Sequence, residues 1–148
     1  MSAASASRGI TVVAVCRTCK PEGDVAAEPP GARLGRATVA AVERLAGPDS
    51  VVEVRAIACL SACGRSCAAS VAAPGKFSYV VGGLVPEDAE DLARFALAHA
   101  DAPDGIPPWR TRPEKIRKNT VARVPPPGAE HALVEDISVA VEDVQEGS

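Results

Sequence analysis

The chemistry-bearing residues of this chain are its five cysteines, and they fall in two groups: Cys16-Arg-Thr-Cys19 and Cys59-Leu-Ser-Ala-Cys63-Gly-Arg-Ser-Cys67. Iron–sulfur clusters and structural zinc both need about four thiolate or imidazole ligands meeting at one point. Spacings of three or four positions let neighbouring cysteines turn inward from one loop or one turn of helix. Cys16 and Cys19 can supply one pair of ligands, and Cys59 and Cys63 the other. Cys67 follows four positions after Cys63, so on a helical segment the two share a face. It is either an alternative ligand, able to replace Cys19, or a buried thiol behind the site. A Cys-x-x-Cys pair also serves as a redox dithiol, but that motif normally opens a helix directly, and Lys20-Pro21-Glu22-Gly23 interrupts it here.

These residues sit where strands end. Ile10–Val15 is a β-branched run with little alternation, as expected of a strand buried on both faces. Val51–Ala58 is a second strand leading into Cys59. Between them, Leu34, Ala37, Thr38, Ala41, Val42 and Leu45 recur at helical intervals, predicting a helix from about Arg33 to Gly47-Pro48. Ser61 is a candidate N-cap for a short helix in the cysteine segment. Pro74-Gly75 is a turn before a strand over Lys76–Val81, Gly82-Gly83 a bend, and Leu84-Val85 a brief further strand. Pro86 suits the first position of a helix whose Leu92, Phe95, Ala96 and His99 form an apolar stripe. A strand, crossover helix and second strand imply a parallel unit. The hairpin and helix that follow give an α/β, thioredoxin-like β-α-β-β-α domain with an irregular C-terminal tail. Parallel strands then present the cysteines at one sheet edge, where ligand sites usually lie.

The length fits one domain, assigned to residues 9–101, with residues 102–127 a basic, Pro-rich arm packing on it and 128–148 an acidic, mobile tail. Residues 1–8 read as disordered. Within the arm, Gly105–Pro127 carries Arg110, Arg112, Lys115, Arg117, Lys118 and Arg123 against Glu114, whereas the net charge of the chain is only −3. Trp109, the only tryptophan, is expected to fold onto the domain and fix Trp109, Arg110, Arg112 and Arg117 as a partner-binding set on the cysteine-bearing side. Thr120–Val124 and Leu133–Val141 carry weak strand signals. No stretch approaches the roughly 20 apolar residues of a membrane span, and the N-terminus lacks a signal-peptide pattern. A cytoplasmic setting follows, in which clustered thiols stay reduced and bind metal. His99 reads as a residue on the apolar side of its helix rather than a ligand, and His131 lies in the acidic tail. No Ser/His/Asp set, phosphate loop or paired carboxylates appear, so no catalytic residue is assigned.

The cysteine groups, together with Pro74-Gly75-Lys76-Phe77-Ser78-Tyr79-Val80, Asp104-Gly105-Ile106-Pro107-Pro108-Trp109-Arg110-Thr111-Arg112-Pro113-Glu114 and Ala122-Arg123-Val124-Pro125-Pro126, resemble a bacterial family of predicted metal-binding proteins of unknown function. The resemblance covers about residues 10–127. It implies a thioredoxin-like ferredoxin fold and a link to cobalamin biosynthesis and cobalt chelation. In the better-known thioredoxin-like [2Fe-2S] ferredoxins the first two ligands lie about a dozen residues apart, whereas Cys16 and Cys19 are three apart. The reading that follows is a small electron-transfer protein carrying a [2Fe-2S] cluster on Cys16, Cys19, Cys59 and Cys63. Its expected partner is a redox protein or an anionic tetrapyrrole-pathway component, with neither nucleic acid nor membrane. The rival is a zinc- or cobalt-binding module without redox activity.

Overall fold

The computed structural model describes residues 10–19 and 27–138. The expectations for residues 1–8, for the interruption at Lys20–Gly23 and for the tail beyond Ser138 lie outside them. The chain runs β1 (Thr11–Cys16), α1 (Pro30–Ala46), β2 (Val52–Ile57), β3 (Ala69–Ala72), β4 (Ser78–Val81), α2 (Ala89–Asp101), α3 (Glu114–Asn119) and β5 (Thr120–Val124). One sheet has the order β2-β1-β3-β4-β5. β1 and β2 are parallel, joined through α1, and every other neighbouring pair is antiparallel. Thr11, Val13, Val15, Val71, Tyr79 and Val81 are buried, while the alternate positions Val12, Ala14, Ser70 and Val80 are only half-buried. This period of two marks one face of the sheet as the core face. There α1 and α2 pack against each other. Leu34, Thr38, Ala41 and Val42 fill α1's side of the core, and Leu92, Phe95, Ala96 and His99 fill that of α2.

Several boundaries differ from expectation for local reasons. α1 begins at Pro30, three residues before Arg33, because proline at the first helical position costs no hydrogen bond. α2 is preceded by a 3₁₀ turn, Pro86–Asp88, closed by the Asp88 carboxylate accepting from the Val85 N–H at 2.9 Å. The expected strand at Leu84-Val85 is not formed. Leu84 instead exchanges two backbone hydrogen bonds with Cys67, at 3.0 and 3.2 Å. The expected strand over Lys76–Val81 starts only at Ser78, because the Phe77 N–H is taken by the Asp104 carbonyl. β3 was not anticipated.

The C-terminal arm is not irregular. α3 and β5 complete the sheet, with Arg123 opposite Tyr79 and Ala122 opposite Val80. Its anchor is Ile116, fully buried, and not Trp109, which is 61% exposed. No strand forms over the described part of Leu133–Val141.

His99 illustrates how polar groups are handled in this core. Its Nε2–H donates to the Phe77 carbonyl at 2.7 Å, and its Nδ1 accepts from the Thr11 hydroxyl at 2.9 Å. Burial holds its pKa below the ordinary 6.5, helped by the Lys76 charge and only partly opposed by the Phe77 carbonyl. The unfolded chain therefore binds a proton at His99 that the folded chain resists. Stability is complete above about pH 6.5 and falls below it, by at most about 1.4 kcal/mol per pH unit from this one group. Urea midpoints should drop between about pH 7 and pH 5, while the His99 ring proton resonances stay at their neutral positions well below pH 6.5. A ring that titrates at its ordinary value would show that burial does not hold it neutral.

Candidate metal centre

The parallel pairing of β1 and β2 brings the two cysteine groups to one edge. Cys16 is the last residue of β1 and lies opposite Ile57, and the Arg17 N–H bonds the Ile57 carbonyl at 2.9 Å. On the other side, the Cys16 N–H bonds the Ala68 carbonyl at 3.1 Å, tying the first motif to the residue after Cys67. Cys16-Arg-Thr-Cys19 is a tight turn, with the Cys19 N–H 3.3 Å from the Cys16 carbonyl. The Cys19 carbonyl then accepts from the Gly31 N–H at 3.0 Å and from the Cys67 thiol at 3.6 Å. The first turn of α1 is thus committed to a carbonyl of the motif and not to a sulfur.

Hydrogen-bond donors surround the sulfurs. Burial opposes a Cys16 thiolate, but the Cys19 thiol, the Thr18 hydroxyl and the backbone N–H groups of Leu60 and Thr18 outweigh it, and the Cys16 pKa is lowered. The Thr18 oxygen is 3.6 Å from that sulfur and also within reach of the Ala58 carbonyl, so its one proton serves one of these acceptors at a time. Burial raises the Cys19 pKa, reinforced by its bond to Cys16 and only partly relieved by the Ala68 N–H and the Ser66 hydroxyl. Cys59 is exposed, and its sulfur accepts from the Ser61 N–H at 3.2 Å. Ser61 is not a helix cap: it adopts a positive φ of 55°, and the 3₁₀ turn Cys63–Arg65 follows Ala62.

The structure therefore joins Cys16 and Cys19, sets Cys59 on the adjoining loop, and directs the fully buried Cys67 towards the Cys19 backbone. Cys63 opens the 3₁₀ turn beside them, and its side chain lies outside the described part. Among the described residues, no three Cys, His, Asp or Glu side chains converge on a point that could hold a metal ion. The donor chemistry nonetheless fits a thiolate-bound group. Backbone N–H and hydroxyl donors to sulfur stabilise anionic sulfur and tune the metal it carries. Sequence reasoning found the cysteines but missed Gly31, Thr18, Ser66 and the N–H groups of Leu60 and Ala68. Thr18 and Ser66, each next to a cysteine, were the only side-chain signals available.

Of the predicted partner-binding residues, Trp109 lies with Arg112 and Arg117, each guanidinium 5.4 Å from its ring centroid. Arg110 is exposed beside them. His131 is no ligand either: it pairs with Asp104 at 2.9 Å and packs edge-on against Phe77.

A mixed sheet with helices on one face and cysteines at the ends of its parallel strands defines a thioredoxin-like fold. The chain is similar in structure to a thioredoxin-like [2Fe-2S] ferredoxin from Aquifex aeolicus. The TM-score is 0.54 at 17% identity, covering 82% of this chain and 98% of that one. The model of a protein family of unknown function, DUF1636, matches residues 13–126, and the chain belongs to that family. No curated protein matches it. Among the described residues, no helix is long and apolar enough to cross a membrane.

Proposed function

We propose that this chain is a small iron–sulfur protein that holds a [2Fe-2S] cluster between the Cys16–Cys19 turn and the Cys59–Cys63 loop. The observation that carries the reading is the meeting of the thiols at one sheet edge: the parallel pairing of β1 and β2 sets the Cys16–Cys19 turn beside the loop of Cys59, whose sulfur accepts from the Ser61 N–H at 3.2 Å. A bound cluster would supply one-electron chemistry. The chain's own residues would hold it and hydrogen-bond its ligand sulfurs, and the exposed Cys59 loop would keep it near the surface. Such donors favour added negative charge, and so the reduced state. The fold of the Aquifex ferredoxin supports the reading. Its finer setting, redox support of cobalamin or tetrapyrrole assembly in the cytoplasm, is inferred from the family resemblance.

Anaerobically purified protein from iron-replete cells should be brown, contain iron and acid-labile sulfide in equal amounts, and lose its visible absorption on reduction with dithionite. Colourless protein with stoichiometric zinc or cobalt would overturn the proposal in favour of a metal-carrying module.

A further inference from the structure

Burying a large apolar side chain is worth roughly 1.5–3 kcal/mol, and Trp109 forgoes much of that, with 61% of its area in solvent. Yet it is held in place. The Arg112 guanidinium lies 5.4 Å from its ring centroid and 5.7 Å from that of the buried Tyr79, and the Arg112 Nε–H donates to the Pro107 carbonyl at 2.9 Å. Arg117 stacks on the same indole at 5.4 Å. Beside the ring is an open cleft of about 340 Å³ bounded by Trp109, Glu114, Arg117 and Lys118. The nearby carboxylates are already engaged, Glu114 by Lys118 at 2.7 Å and Asp88 by Lys115 at 3.2 Å. Among the described residues Arg110 and Arg117 have no ion-pair partner. The surface is thus an exposed tryptophan with two guanidinium groups on its ring and a third beside it, none of the three in an ion pair among the described residues.

Backbone hydrogen bonds tie the far end of the same arm to the cysteine segment. The last residue of α3, Asn119, accepts from the Gly82 N–H at 3.0 Å, and the Gly83 N–H donates to the carbonyl of Arg65 at 2.8 Å. Arg65 ends the turn that Cys63 begins.

We propose that Trp109, Arg110, Arg112 and Arg117 form the docking site for an acidic protein surface. Given the iron–sulfur reading on which this part rests, that surface belongs to the redox partner. Tryptophan and arginine dominate binding energy at protein interfaces, because a rigid ring and a planar cation give large contacts at low ordering cost. A partner carboxylate entering the cleft completes the charge of Arg117, and the partner's surface covers the ring. A protein fits better than a nucleic acid because the chain as a whole is acidic, with a net charge of −3, and offers one aromatic ring to stack on.

Trp109 is the only tryptophan, so its emission reports the site directly. Decaglutamate titrated into the full-length protein should change that emission saturably and bind more weakly as sodium chloride is raised. Arg117→Glu and Arg110→Glu should each weaken binding by about tenfold, while Arg55→Glu, on the far edge strand β2, should leave it unchanged. Unaltered emission at low salt, or equal weakening by Arg55→Glu, would overturn the proposal. So would tighter binding of deca-thymidylate, which would make the site one for nucleic acid. The titration is independent of iron: colourless protein that binds decaglutamate would sink the cluster and keep the docking site, and brown protein that does not bind would do the reverse.

Discussion

Cys16→Ser should strip the protein of its metal, whereas Cys67→Ser should leave it nearly fully loaded. Cys16 ends β1 at the edge where the two cysteine groups meet, and its thiolate form is favoured by its neighbours despite burial. Replacing a ligand sulfur with a hydroxyl removes a strong metal–thiolate bond. The loss should therefore exceed the roughly 10–100-fold in affinity typical of losing a supporting hydrogen bond. Cys67 is fully buried, and its thiol points to the Cys19 carbonyl, a bond that a serine hydroxyl can keep. Metal content per chain and retention against a chelator are the measurements. Cys59→Ser, Cys63→Ser and Cys19→Ser should follow Cys16→Ser. Full retention in Cys19→Ser with loss in Cys67→Ser would overturn the ligand set, because Cys67 would then be the fourth ligand.

The second large effect is expected from a residue that carries no chemistry. Gly31→Ala should destabilise the fold by about 3 kcal/mol, the upper end of what overpacking typically costs, and release the metal with it. A Cβ there would lie 2.0 Å from the Cys16 carbonyl oxygen and 3.2 Å from the Cys19 nitrogen. Both are backbone atoms, so no side chain can move aside, and relief requires pulling α1 away from the Cys16–Cys19 turn. Gly35→Ala, one turn further along α1, is the control. There a Cβ meets only Val15 at an ordinary 3.9 Å, and the gain in helix propensity should stabilise by roughly 0.5–1 kcal/mol. Thermal melts of the two variants should move in opposite directions. A Gly31→Ala protein as stable as its parent would show that the turn and helix are not in register as described.

Much of this arrangement is legible in the chain before folding, and the exceptions share a cause. β1, β2 and α1 announce themselves because β-branched runs and a three-and-four spacing need no tertiary context to be recognised. β3 does not, because Ala69-Ser-Val-Ala72 has little strand propensity and is extended only because β1 and β4 pair with it on either side. The reading of Trp109 erred by treating ring size as the deciding quantity. Two guanidinium groups stack on the indole and keep it at the surface, while the smaller Ile116 takes the buried position. At the metal centre, spacing identifies the thiols, but any residue can supply a backbone N–H. The roles of Leu60 and Ala68 are therefore invisible until β1 and β2 are seen side by side.

Among the described residues, the strand that closes the sheet, β5, is also the last strand to leave the ribosome. All five cysteines lie within the first 67 residues, and β5 spans Thr120–Val124. At about 5–20 residues per second, the intervening stretch takes roughly 3–11 s to synthesise. Throughout that interval β4 lacks its outer neighbour, and Gly82 lacks the Asn119 carbonyl that later fixes the bend beside the Cys63 turn. The nascent chain thus presents its thiols on an unfinished sheet. A metal donor acting co-translationally would meet ligand loops still free to adjust, and the arrival of β5 would then lock the loaded geometry.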